Sequence, residues 1–297
     1  MNSLFMMRGL LFALFTALQF VQPLPLLAHG DLGGQIDEVT AEIAARPSDA
    51  QLFLKRGELH RNVELFLFAG DDFAQAEKLD PSLTLVHLAR ARNYLEWRKP
   101  ALGLSSLDRY LASNPAGQLA ALAHEVRGKL LVALERPLEA ASEFTLAIDF
   151  STAPSPDVFL YRVAAYESAG NEYFDIAIQS LDTGIARLGP IVSLIQPALD
   201  LELRLQRYDA ALARVDQLAA AAARPESWLA RRGEILLQSG RTSEAHEAFQ
   251  LALEKIASLS ARHRNTAATQ QIERQVRSRL QQLAEAKHTA RNSLHEK

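Results

Sequence analysis

The chain has 297 residues, 48% apolar and 23% charged, with a formal net charge of −3, enough material for a sizeable buried core. It contains no cysteine, which excludes disulfides, thiolate metal sites and lipid attachment through an N-terminal cysteine. The charge is uneven: residues 258–297 hold 8 Lys or Arg against 3 Glu, leaving residues 29–257 at about −9. An acidic body argues against nucleic acid as a partner, because phosphate binding needs clustered positive charge.

In chain order, Met1–Arg8 supplies one positive charge, and Gly9–Val21 is a run of Leu, Phe and Ala broken by Thr16 and Gln19. Pro23 and Pro25 interrupt it before Leu26-Leu27-Ala28. These are the three parts of a secretory signal peptide over residues 1–28, with Ala28 the last residue removed and a periplasmic or otherwise exported destination in the cell envelope. The alternative is an uncleaved inner-membrane anchor over residues 9–28, although the run falls short of the roughly 20 apolar residues a span needs. Residues 29–49 are expected to hold a flexible lead at Gly33-Gly34 and an N-terminal capping helix. Ile36, Val39 and Ile43 share one face of that helix.

From residue 50 a period takes over. Pro47, Pro81 and Pro115 stand 34 residues apart. Between them Arg56-Gly57, Ala69, Phe73 and Ala76 are answered by Ala91, Gly103, Leu107 and Tyr110 at matching places. The register resumes at Arg127-Gly128, Ala140, Phe144 and Ala147, then at Tyr161, Ala165, Ala177, Leu181 and Gly184. A fifth unit carries Leu199, Tyr208, Ala211, Val215 and Leu218, and a sixth Trp228, Arg232-Gly233, Gly240, Ala245, Phe249 and Ala252. Small residues fall where two antiparallel helices must approach closely, and large ones where a neighbouring hairpin inserts. Pro100 and Pro137 suit the first position of a second helix, where the missing N–H had no intrahelical partner. Apolar spacing of three and four, with almost no alternation, makes the chain all-α. Residues 258–297 close the chain as a basic helix and tail, with Ile272, Val276, Leu280 and Leu283 at helical spacing. Either the helix caps the array, or Arg274, Arg277 and Arg279 meet an acidic partner or anionic lipid.

This order of large, small, aromatic, small, large, small and proline resembles the tetratricopeptide-repeat (TPR) family, with about six repeats over residues 50–257. The resemblance implies a right-handed superhelical solenoid of antiparallel helix pairs with capping helices at both ends. It also implies a non-enzymatic scaffold that binds a protein or peptide along a concave face lined by the first helix of each pair. The family's exposed offsets fall on Lys55 (at the margin), Glu58, Arg61, Asn62, Arg92, Glu96, Glu125, Lys129, Arg162, Tyr166, Gln196, Asp200, Arg204 and Glu234. A carboxylate clamp of the kind some TPR proteins carry is not matched, since its positions hold Leu54 and Glu58.

Catalytic constellations are not legible. His124-Glu125 and His246-Glu247 open like a zinc-protease helix, but the second-histidine positions hold Gly128 and Gln250. No phosphate loop and no Gly-x-Ser-x-Gly elbow occurs. His60, His87 and His124 read as core or interface imidazoles, and Asp71-Asp72 as a helix-start pair suited to capping. No cofactor and no nucleic acid is expected, and membrane contact only if the leading segment is uncleaved. The alternatives are a structural subunit of an envelope assembly, or a metal-handling accessory in which a new N-terminal His29 binds Cu²⁺ through amine and imidazole.

Overall fold

A computed structural model describes residues 32–295; the expected signal peptide (residues 1–28) and His29 lie outside the described residues. The described residues form helices with no strand among them. They divide into two compact units, one ending at Leu83 and the other beginning at Thr84.

The first unit contains α1 (Leu32–Ala45), α2 (Ala50–Asn62) and α3 (Phe66–Leu79). Asp49 caps α2 by accepting the Gln51 N–H at 3.1 Å. The helices α2 and α3 meet where Gly57 faces Phe73, and a Cβ on Gly57 would lie 2.5 Å from the ring. Only glycine permits that approach. Val39 of α1 is fully buried, as are Ala69, Phe73 and Ala76 of α3. Two sequence expectations need correction here. Gly33 and Gly34 are not a flexible lead but the first turn of α1. Asp71-Asp72 is not a helix-start pair, because the apolar stretch Phe66–Phe68 is already helical and places both residues well inside α3.

The second unit contains α4 (Leu85–Glu96), α5 (Pro100–Leu111), α6 (Gly117–Ala133), α7 (Pro137–Phe150), α8 (Pro156–Ala169) and α9 (Phe174–Leu188). It continues with α10 (Val192–Arg204), α11 (Tyr208–Ala221), α12 (Glu226–Gln238), α13 (Thr242–Ser258), the short α14 (Ala261–Arg264) and α15 (Ala267–His295). Pro100, Pro137 and Pro156 each occupy a first turn. With α2/α3, the successive pairs make six helical hairpins among the described residues.

Five of the six hairpins turn in the same way. Glu64, Arg98, Glu135, Gln206 and Gly240 are left-handed, with φ between 56° and 79°. The N–H of the residue after each donates to the carbonyl five residues back: Leu65 to His60, Lys99 to Tyr94, Arg136 to Leu131, Arg207 to Glu202 and Arg241 to Leu236, at 2.8–2.9 Å. This is the Schellman closure, which satisfies the last carbonyls of one helix and redirects the chain at once. The fourth pair differs: Gly170 has φ 139° and a short 3₁₀ turn, Asn171–Tyr173, precedes α9.

Within the second unit the pairs stack as an all-α solenoid, because the first helices α6 and α10 each serve two cores. Leu130 of α6 packs with Leu88, Leu107 and Tyr110. Its neighbour Leu131 packs with Phe144, Phe159 and Leu181. In α10, Ala198 and Leu201 join that second core, while Leu199 joins Val215, Phe249 and Val276 in a third. Each such side chain contributes about 1.5–3 kcal/mol by burial, so no pair is stable by itself. The helix α15 covers the end of the third core with Ile272, Val276, Leu280 and Leu283. No helix among the described residues is long and apolar enough to cross a membrane.

Candidate functional site

The interfaces between the two helices of a pair hold several of the buried charges. Asp72 is 4% exposed and accepts Arg56 Nε at 3.0 Å and the terminal guanidinium nitrogen at 2.7 Å, while His60 Nδ1 lies 2.8 Å away. A second such cluster joins His124 Nδ1 to Glu143 at 2.7 Å, with Arg127 3.7 Å from the same carboxylate. The His124 ring stacks on Phe150, centroids 5.3 Å apart. These imidazoles are interface groups held by carboxylates, as their repeat offsets predict. Among the described residues no group of three or more His, Asp or Glu is placed to hold a metal ion.

Glu202 is a buried acid, 4% exposed. Arg214 Nε donates to its Oε1 at 2.8 Å, but its Oε2 is buried without a hydrogen-bond partner among the described residues. Burial pushes this carboxyl above the ordinary glutamate range, and Arg214 offsets only part of the rise.

In the first unit the expected surface residues of α2 are engaged with one another. Lys55 lies 3.6 Å from Glu42 of α1. Glu58 accepts Arg61 at 2.8 Å, and Arg61 also donates to Asn62 Oδ1 at 2.6 Å. Arg61 is only 6% exposed, so Glu58 and Asn62 present the outer polar atoms of this group.

In the second unit the first helices carry a sequence of charges that cross from one pair to the next. Glu125 and Lys129 of α6 pair at 2.7 Å, and the Lys129 ammonium sits 4.5 Å from the centre of the Tyr161 ring on α8. Glu167 of α8 pairs with Arg204 of α10, whose guanidinium also covers the Phe174 ring at 4.0 Å. Asp200 of α10 faces Arg231 of α12 at 3.7 Å, and Glu234 of α12 accepts Arg279 Nε of α15 at 2.8 Å. Three times a carboxylate of one first helix meets an arginine of the next helix on that face. Gln196 and Glu96 are exposed, Arg92 and Tyr166 half-buried, and Tyr166 stacks on Tyr173.

Arg162 departs from its expected place. It is 9% exposed and points between helices, donating through Nε to Ser180 Oγ at 2.6 Å and lying over Phe159. Desolvation lowers the pKa of this guanidinium from its ordinary value. Its long stem reaches the interior because Ser180 and Thr145 supply acceptors there.

Sequence reasoning missed Glu167 and Arg231 as members of this face. Arg231 lies three before Glu234, so an i, i+3 reading of opposite charges would have reached it, whereas Glu167 has no opposite charge at that spacing. Between α12 and α15 the face deepens into a cleft of about 560 Å³ lined by Arg231, Glu234, Gln238, Arg274, Gln275 and Arg279, among others.

No protein-family model matches the chain. Among solved structures it is similar to a tetratricopeptide repeat protein from Parabacteroides merdae, with 17% identity and a TM-score of 0.48 over 86% of this chain and 93% of that one. PilF of Pseudomonas aeruginosa matches at 16% identity and TM-score 0.47, over 81% of this chain and 99% of its own. YrrB, described as a TPR protein with an unusual peptide-binding site, matches at 15% and 0.49, over 61% and 90%.

Proposed function

We propose that this chain is an exported, non-enzymatic scaffold that holds a protein or peptide partner along the face made by the first helices of its pairs. The observation that carries the reading is the ladder of charged groups on that face in the second unit. Glu167–Arg204, Asp200–Arg231 and Glu234–Arg279 follow one another on successive helices. Their side chains keep roughly a third to a half of their surface in solvent. Exposed pairs of this kind are each worth only about 0–1 kcal/mol, so a partner can exchange them for its own at little cost. The alternating signs favour a partner of mixed charge.

The export half of the proposal rests on the three-part pattern of residues 1–28. The binding half is tested by crosslinking and co-purification of the full-length protein from its native envelope. Reversing Lys129 and Arg204 to Glu together should abolish recovery of the partner, whereas Lys255→Glu on the second helix α13 should not. Equal recovery from all three proteins would refute the reading.

A further inference from the structure

The cleft between α12 and α15 differs from the rest of the ladder in its charge balance. Elsewhere on the ladder Arg204 faces the single carboxylate of Glu167. Here Arg231, Arg274 and Arg279 converge on a cleft whose lining contains one acid, Glu234. Arg279 is committed to that acid at 2.8 Å and to Gln282 at 3.1 Å. Arg231 stands 3.7 Å from Asp200, too far for a hydrogen bond. Arg274 is exposed and forms no ion pair among the described residues. The neutral part of the lining is amide and hydroxyl: Gln238, Gln275, Ser278.

We infer that this cleft is a docking site for an acidic, extended peptide segment of the partner, an inference that rests on the scaffold reading above and specifies the partner's chemistry at one end of the face. Three guanidiniums against Glu234 in the lining and Asp200 at 3.7 Å leave an excess of one positive charge, centred on the unpaired Arg274, which a carboxylate of a bound segment would balance. Glutamine side chains supply both donors and acceptors, which suits the backbone of an extended peptide better than a bare anion. The lining residues Arg274 to Gln282 span about 12 Å of helix, matching roughly four residues of extended chain. Arginine's forked donors accept carboxylates two bonds at a time, which orients the segment as well as attracting it. The ladder of mixed charge would then carry the rest of the partner away from this anchor.

The test uses the full-length mature protein and a fluorescein-labelled dodecapeptide rich in Glu and Asp, titrated by anisotropy at low salt. A same-length peptide of Gln and Asn is the control. The acidic peptide should bind and the neutral one should not. Arg274→Glu should weaken binding about tenfold and Arg274→Gln by less. Arg277→Glu, on the same helix but paired with Glu273 and outside the cleft, should leave binding unchanged. Because Arg274 is exposed and unpaired, its variants should keep the wild-type circular dichroism and melting profile. Equal weakening by Arg274→Glu and Arg277→Glu would mean unspecific attraction and overturn the assignment. So would absence of acidic-peptide binding, or binding confined to phosphatidylglycerol vesicles. Should native-partner capture still depend on Lys129 and Arg204 in any of those cases, the scaffold reading stands and only the acidic anchor falls.

Discussion

Two glycines of the first unit should respond to alanine with opposite sign. Gly57 and Gly70 both lie inside helices, so on helix propensity alone each Gly→Ala change gains about 1 kcal/mol. At Gly70 nothing lies within 4 Å of the added Cβ, and that gain should appear in full. At Gly57 the new carbon would stand 2.5 Å from Phe73 Cε1, 2.8 Å from Cδ1 and 3.2 Å from the Asp72 Cβ. Carbon atoms prefer about 3.5–4.0 Å, so the ring or the whole helix must retreat by about 1 Å. Phe73 is fully buried and Asp72 is tied to Arg56 and His60, so neither retreats freely. Overpacking of this kind costs about 1–3 kcal/mol, leaving Gly57→Ala net destabilising by up to about 2 kcal/mol. Native-state hydrogen exchange over residues 50–79 reads this locally, with each 1.4 kcal/mol changing protection about tenfold. Gly57→Ala combined with Phe73→Leu should recover part of the loss. If Gly57→Ala raises protection as much as Gly70→Ala does, the α2–α3 packing described above is wrong.

The shared turn makes a second pair of predictions. Gln206→Gly, at φ 56°, should stabilise the chain by about 0.5–1 kcal/mol, and Gly240→Ala, where nothing lies within 4 Å, should cost about 1 kcal/mol, both read from urea midpoints. Glu202 should give an unusual pH slope. Burial raises its folded pKa above the ordinary 4.5, so its contribution is full below about that pH and is lost as pH rises through the folded value. The stability of the wild type relative to Glu202→Gln should therefore fall across that window and level off above it, in urea titrations at stepped pH; a rise instead would show that Arg214 dominates. For export, intact-mass and N-terminal analysis of the envelope protein should find His29 as the first residue, and retention of Met1 would contradict cleavage.

The repeat was legible because close packing leaves a compositional trace. Gly57, Gly128 and Gly233 each face a phenylalanine sixteen residues later, Phe73, Phe144 and Phe249, and single letters report that contact. Turn geometry was less legible: four of the five left-handed positions carry Glu, Arg or Gln, which do not announce φ above zero as glycine does. Which charges turn inward was not legible either. Arg162 and Glu125 occupy first-helix positions of the same class, yet only Arg162 finds Ser180 and Thr145 behind it. Asp72 was misread because an apolar helix start at Phe66–Phe68 looks like a loop interruption to periodicity counting. Pairs that cross between hairpins, such as Glu167–Arg204, depend on the stacking of distant segments, and no local spacing encodes them.

The binding face itself is tested most directly by site-specific photocrosslinking in the native envelope. A photoreactive residue at exposed Gln196 or Gln275, on the face of the first helices and α15, should trap one defined partner. The same residue at exposed Gln179 or Gln217, on the second helices α9 and α11, should not. Adducts of equal identity and yield from both faces, or from α9 and α11 alone, would contradict the account.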